Sequence, residues 1–174
     1  VNLYFRLLLV LIKTLFRPRL APMESSVLRF RVWPNDLDMN MHMNNGRYLT
    51  LMDLGRTDLM LRNGLAKAIV KQRWMAVIAS VMIRYRRSLL PFQPFELHTR
   101  MLCWDDKWFF MEQRIVRNGR TVTIALVKGV VRRSGGYVAP AEFLEKGFGK
   151  AVESPEMPES VLAWLRSEEH VTAD

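Results

Sequence analysis

Asp36 to Tyr48 places two carboxylates, three carboxamides and an imidazole within thirteen residues. Asp38, Asn40 and His42 stand at i, i+2 and i+4, so an extended loop would turn all three to one side and Met39, Met41 and Met43 to the other. A carboxylate beside an imidazole supplies a base or a nucleophile. Asn44 is a natural N-cap for the run that follows, and the first N–H groups of a helix are unpaired and partly positive. A carbonyl held between such an N–H array and a carboxylate is polarised and open to attack, the minimum equipment for acyl hydrolysis. Taken singly, each residue also has a structural reading: Asp36 and Asn44 as caps, Asn40 as a turn residue, His42 as a half-buried histidine. Their conjunction is what points to a site.

The elements that must position this stretch follow from periodicity. Val27 to Trp33 predicts a strand, broken by Pro34, Asn35 and the Asp-rich run. From Asn44 to Arg62 the residues Tyr48, Leu51, Met52, Gly55, Leu59 and Met60 keep a 3–4 spacing, which predicts an amphipathic helix with one apolar face. Arg47, Asp53, Arg56, Asp58 and Arg62 occupy most of its other side, with Asp58 and Arg62 spaced as a surface ion pair. Asn63-Gly64 stops that helix, and 65–73 reads as a shorter helix or turn. Four strands are then expected, over 75–86, 95–104, 108–116 and 121–132. Asp105-Asp106 and Asn118-Gly119 are the hairpin turns between them, Asn-Gly being the strongest short hairpin signal. His98, in the second of these strands, reads as a surface or sheet-face residue. One helix followed by an antiparallel meander is an α+β plan with the sheet wrapping the helix.

The ends of the chain differ from this middle. Leu3 to Phe16 is almost wholly apolar, with Arg6, Lys13 and Arg17 falling in one narrow sector of a helix. Fourteen helical residues reach about 21 Å, short of the roughly 30 Å of bilayer hydrocarbon, so a spanning helix is not expected. A cleaved signal peptide is not expected either, since no basic residue precedes the apolar run and no small-x-small site follows. Two alternatives stand: an interfacial helix turning its basic sector to anionic head groups, or a helix docked on its own domain or on a second copy. Residues 1–26 are thus read as N-terminal helix and linker, 27–133 as the domain and 134–174 as a C-terminal extension with helical turns after Pro140 and around Trp164.

A net charge of +9, carried mostly by arginine, suits an acidic or phosphorylated partner or an anionic surface. Nucleic acid is not expected, because the arginines are scattered along strands without a basic helix or an aromatic RNA-binding motif. The single Cys103 forbids an internal disulfide and, among Met101, Leu102 and Trp104, reads as a buried inert thiol suited to a reducing, cytoplasmic compartment. No dinucleotide fingerprint, phosphate loop or metal-ligand cluster is present in the sequence, so no cofactor and no metal are expected.

The string Asp36-Leu37-Asp38-Met39-Asn40-Met41-His42-Met43-Asn44-Asn45, with Tyr48 beyond it, resembles the signature of the hotdog-fold thioesterases, the 4-hydroxybenzoyl-CoA thioesterase-like superfamily. It is closer still to the active-site segment of the acyl-ACP thioesterases, and it also looks like thioesterase-superfamily-member-6 type proteins. The order of strand, helix and four strands extends the resemblance to Val27–Arg133. It implies a single hotdog domain in which a sheet of about five strands wraps a central helix. It also implies an acyl thioester hydrolase acting on acyl-CoA or acyl-ACP in fatty acid metabolism, working as a homodimer or dimer of dimers without a metal. Carried over by position, it makes Asp38, Asn40 and His42 the catalytic set, with Asp38 as general base or nucleophile. Met43, Asn44, Asn45 and Tyr48 would position the substrate, and Arg84, Arg86 and Arg87 would meet its carrier. Two departures stand out: Met41 where many members have Gly, and 86–95 where a strand turn often carries Gly-Asp.

Two rival functions follow from the same residues. A hotdog hydratase or dehydratase usually carries Asp-x-Asn-x-x-His, one residue longer than Asn40-Met41-His42. A non-catalytic acyl-binding protein on a membrane surface is the second, with residues 3–16 as its peripheral contact.

Overall fold

A computed structural model describes residues 2–171; Val1 and Thr172–Asp174, with which the expected terminal segments begin and end, lie outside the described residues. In chain order the elements are α1 (Asn2–Leu15), β1 (Ser26–Arg31), a 3-10 turn (Pro34–Asp36), α2 (Asn45–Arg62) and α3 (Leu65–Gln72). These are followed by β2 (Met75–Tyr85), β3 (Pro94–Trp104), β4 (Phe109–Arg117), β5 (Arg120–Arg133), β6 (Gly136–Val138), α4 (Pro140–Phe148) and α5 (Glu159–Val171). All strand pairs are antiparallel, in the order β1-β3-β4-β5-β2, with β6 added to β5. All five expected strands are present, and β6 is a short addition to them. β6 is too brief to leave a periodic signal, and Val138 opposite Val131 is its one buried anchor.

The side-chain alternation of β5 separates the layers. Ala125 and Val131 face the helices: α2 lays Leu51, Met52 and Leu54 over Leu28, Leu97, Ile115 and Ala125, while α3 and α4 pack around Trp104, Phe109 and Val131. Leu126 points the other way, where Val161 and Trp164 of α5 cover Cys103 and Phe110. That burial pushes the Cys103 thiol up to about 11, so it is inert as expected. Helix and sheet approach closely at Gly55, where a Cβ would lie 2.5 Å from Thr99 Oγ1 and 2.8 Å from Leu97 Cδ2. Beside it the buried Gln113 donates to the Met52 carbonyl (2.8 Å) and to Thr99 Oγ1 (2.9 Å), and accepts from Arg56 (2.6 Å). This network sets the height of α2 above β3 and β4.

The N-terminal helix is docked, with the polarity opposite to that of an interfacial helix. Its basic sector faces inward: Arg6 is buried against Asp36, and Arg17 reaches Asp58 at 3.4 Å and the Val27 carbonyl at 2.7 Å. Thr14 donates to Asp58 at 2.7 Å. Only Lys13 of the three basic residues stays exposed. The outer face is apolar, with Tyr4, Phe5, Leu8, Ile12, Leu15 and Phe16 all exposed. The physical reason is that two buried carboxylates need counter-charges, which Arg6 of α1 and Arg17 just beyond it carry. For the same reason Asp58 and Arg62 are not a surface pair. Asp58 is fully buried and also accepts from Ser26 at 2.6 Å, so the polar side of α2 is interior wherever α1 covers it.

Candidate active site

The site begins where β1 ends. Pro34 opens the 3-10 turn, and Asp36 closes it by accepting the Trp33 N–H at 2.9 Å while its own N–H donates to the Trp33 carbonyl at 2.8 Å. Asp36 is buried, paired with Arg6 and 3.8 Å from Arg47 Nε. The first carboxylate of the motif is therefore a fastener, in keeping with its reading as a cap. Leu37 then bridges Met43 in antiparallel fashion, which folds Asp38 to His42 into a tight turn.

That turn replaces the extended loop expected from the i, i+2, i+4 spacing. The Asp38 N–H donates to the His42 carbonyl (2.8 Å), and Asp38 Oδ1 accepts the N–H groups of Asn40 (2.9 Å) and His42 (3.3 Å). Asp38 and His42 are thereby brought together, while Asn40 sits at the exposed tip. The methionine row does not face the core: Met43 is buried, but Met39 and Met41 are exposed. Met41 has φ of 58°, the left-handed region that Gly enters without strain. The geometry thus accounts for the glycine that many relatives of the motif carry there.

Asp38, His42, Met43, Asn45, Tyr48 and Tyr85 line a cavity of about 230 Å³, completed by Arg86, Arg87 and Ser88. The N-terminus of α2 opens onto it, with Asn44 as N-cap accepting the Gly46 N–H at 2.8 Å. Of the backbone N–H groups of Met43, Asn44 and Asn45 at this helix start, two have partners. Met43 donates to the Leu89 carbonyl and Asn44 to the Asp36 carbonyl, both at 2.8 Å. Asn45 stands at the first helical position, where a backbone N–H has no partner within the helix itself.

Tyr48 and Tyr85 form an edge-on pair with ring centroids 5.1 Å apart, and Tyr85 donates to the Asn45 carbonyl at 3.1 Å. Burial raises both phenols above their ordinary range, so each remains a hydrogen-bond donor at neutral pH. Tyr85 and Ser88 were not singled out by sequence reasoning. Tyr85 falls within the strand expected over 75–86, and its place across from Asn45 depends on β2 lying at the sheet edge. Arg84, Arg86 and Arg87 are all exposed, and of the three only Arg86 and Arg87 line the cavity. His98 lies on the sheet surface 3.0 Å from Glu96, whose carboxyl it and Arg29 hold below the usual range.

The sequence pattern of the thioesterase-like superfamily matches residues 32–165, a span that contains the whole of this cavity. The chain belongs to that superfamily. Thioester hydrolysis is accordingly its reaction class. It is similar to the protein THEM6 of Xenopus laevis, 37% identical over 155 residues that make up 86% of this chain and 74% of the relative. It is also similar to the protein THEM6 of Danio rerio, 35% identical over 147 residues, 83% and 70% of the two chains. Among solved structures, the YbaW probable thioesterase of Escherichia coli superposes with a TM-score of 0.62 at 22% identity, covering 72% of this chain and 98% of the other. That likeness is one of fold, and the fold is the hotdog expected from the motif.

Proposed function

We propose that the chain hydrolyses acyl thioesters carried on CoA or on acyl carrier protein, with Asp38 as general base or nucleophile. The observation that carries this reading is the placement of Asp38 and His42 in one cavity with the N-terminal N–H of α2. As general base, Asp38 takes the proton of a water whose oxygen attacks the thioester carbon. The Asn45 N–H and the helix dipole stabilise the developing oxyanion. Collapse expels the thiolate, which is protonated, and leaves the acid. As nucleophile, Asp38 would form an anhydride that water then opens. Asn40 and His42 act by holding Asp38: their N–H groups fix Oδ1, and the imidazole lies at the cavity wall to orient water. Tyr48 and Tyr85 supply donors for the acyl or pantetheine part.

Two further features support the assembly and location within this reading. β2 is an edge strand with Met75, Ile78, Met82 and Tyr85 exposed, which suits edge-to-edge pairing with a second copy beside the cavity. The apolar outer face of α1 suits peripheral contact with a membrane. No helix among the described residues is long and apolar enough to cross one. A thiol-release assay over a panel of acyl-CoA and acyl-ACP substrates tests the proposal, with turnover expected on at least one carrier. Stoichiometric acyl binding without thiol release would favour the non-catalytic rival instead.

A further inference from the structure

The loop after β2 and the turn that presents Asp38 share one rim. Leu89 is buried and its carbonyl accepts the Met43 N–H at 2.8 Å, while Leu90 and Phe92 of the loop and Met39 and Met41 of the turn are exposed. The Phe92 N–H donates to the Val32 carbonyl (2.9 Å) and the Val32 N–H to the Gln93 carbonyl (3.0 Å), so the backbone here is fixed. Phe92 has φ of 62°, a left-handed conformation that strains a bulky residue. Burial does not offset that strain. The Phe92 ring is exposed and stands edge-on to the exposed Trp33 ring, with centroids 6.3 Å apart.

Charge singles out the same rim. No Asp or Glu occurs at 25–35, 39–52 or 59–95, the segments that build it. Asp36, between them, is buried against Arg6, and Asp38 is half-buried in its turn. Exposed Arg31, Arg86 and Arg87 stand along it, and Arg31 donates to the Phe92 carbonyl at 2.8 Å. Arg6 donates to the Arg31 carbonyl at 3.2 Å, which joins the rim to α1 and its apolar outer face. Exposed aromatic and thioether side chains with a basic margin and no exposed acid match an anionic bilayer interface, where aromatic rings settle at head-group level. The cavity behind the rim, about 230 Å³, has Met43 as the one side chain of its described lining that is neither polar nor aromatic. That is room for a thioester but not for a long hydrocarbon chain, since pockets enclosing drug-sized ligands begin near about 300 Å³.

We propose that this rim enters the surface of an anionic bilayer, so that a long-chain acyl thioester reaches Asp38 with its hydrocarbon still in lipid and its carrier in water. The proposal rests on the thioesterase reading of the Asp38 cavity and assigns that cavity a membrane-borne substrate. In it, α1 supplies attachment and the rim sets orientation. Apolar insertion provides most of the rim's contact, and the arginines its preference for anionic lipid.

Cys103 is buried, so Met39→Cys offers a single site for a nitrobenzoxadiazole label. On phosphatidylcholine vesicles containing phosphatidylserine, the label should shift its emission to the blue and brighten. Adding Trp33→Ser/Phe92→Gly should abolish that shift while co-sedimentation through α1 and the thermal midpoint are kept. Glycine suits the backbone at 92, and the Trp33 N–H survives in serine. A label that stays water-like on vesicles, or a shift that the double substitution leaves in place, overturns the proposal. A shift that appears without lipid and grows with protein concentration also overturns it, by showing that a second copy covers the rim. Kinetics give the second readout. In the unlabelled protein, Trp33→Ser/Phe92→Gly should lower kcat/KM about 10-fold or more for palmitoyl-CoA held in the vesicles, the scale of losing two inserted aromatic rings. It should leave unchanged the value for the shortest acyl-CoA that the wild type hydrolyses in solution. Equal loss on both substrates, or loss on neither, counts against the proposal. If the wild type releases thiol from no substrate, the reading of the Asp38 cavity fails separately, and the label still decides whether the rim enters lipid.

Discussion

Arg6 of the first helix donates to Asp36 of the active-site turn at 2.5 Å, thirty residues away in sequence, with both side chains buried. Through Asp36 the contact extends to the Trp33 N–H, and the Asp36 carbonyl accepts from Asn44, the cap of α2. One guanidinium therefore ties α1 to both ends of the segment that presents Asp38. Removing it leaves a buried carboxylate with only Arg47 nearby, so Arg6→Ala should cost about 3 kcal/mol or more of unfolding free energy. A cycle of Arg6→Met, Asp36→Asn and the double variant, followed by urea unfolding, measures the coupling. Simple additivity would show that the pair does not fasten the helix.

Asp38→Asn should reduce kcat by at least about 10²-fold, the scale of a lost general base. The Asn40 and His42 N–H bonds to the side-chain oxygen survive in the amide, so the thermal midpoint should stay within a few degrees. Activity equal to wild type would remove Asp38 from the chemistry. A large drop in midpoint would make it a turn-forming residue instead.

Met41 holds a left-handed backbone with its side chain in solvent. Met41→Gly relieves the Cβ strain and loses little packing, and should stabilise the protein by roughly 0.5–1 kcal/mol after the entropy of the unfolded glycine is counted. Chemical denaturation gives the sign directly. A destabilised variant would mean that the exposed thioether makes contacts worth more than the strain.

Gly55→Ala should cost roughly 1–3 kcal/mol, because the added methyl group meets Thr99 and Leu97 at less than contact distance. The displaced α2 should also shift Asn45 relative to Asp38, so kcat falls along with stability. Thermal melts and turnover measured on the same preparation check both. An unchanged midpoint would mean that the helix and sheet separate freely at this point.

The exposed apolar face of α1 sets the expected response to lipid. Leu8→Glu/Ile12→Glu should abolish co-sedimentation with anionic vesicles while leaving the fold intact, since both positions point outward. Salt should weaken wild-type binding only slightly, because Arg6 and Arg17 are already paired inside the protein. Steep salt dependence would assign the attachment to charge rather than to this face.

Much of the frame was legible from periodicity and turn chemistry. The helix from Asn44 to Arg62, the strands and the Asn118-Gly119 hairpin all announce themselves in residues that obey local rules. What was not legible depended on partners distant in sequence. Asp58 and Arg62 look like a surface pair until α1 is laid across them. The sector of Arg6 and Arg17 looks made for head groups until Asp36 and Asp58 are found beneath it. The turn at Asp38 deceived for a related reason. Alternating polarity implies an extended loop only where nothing closes it, and here the Leu37–Met43 bridge does.

Asp58 gathers Thr14, Arg17, Ser26 and Arg62 onto one carboxylate. During synthesis, α1 is complete before either carboxylate that anchors it, Asp36 or Asp58, has been made. Its arginines then have no buried acid to meet, and its outer face is as greasy as it is in the finished protein. The nascent chain thus carries an unsettled helix until the ribosome has passed Arg62 and β1 has found β3. Over that interval α1 has none of its own domain to pack against.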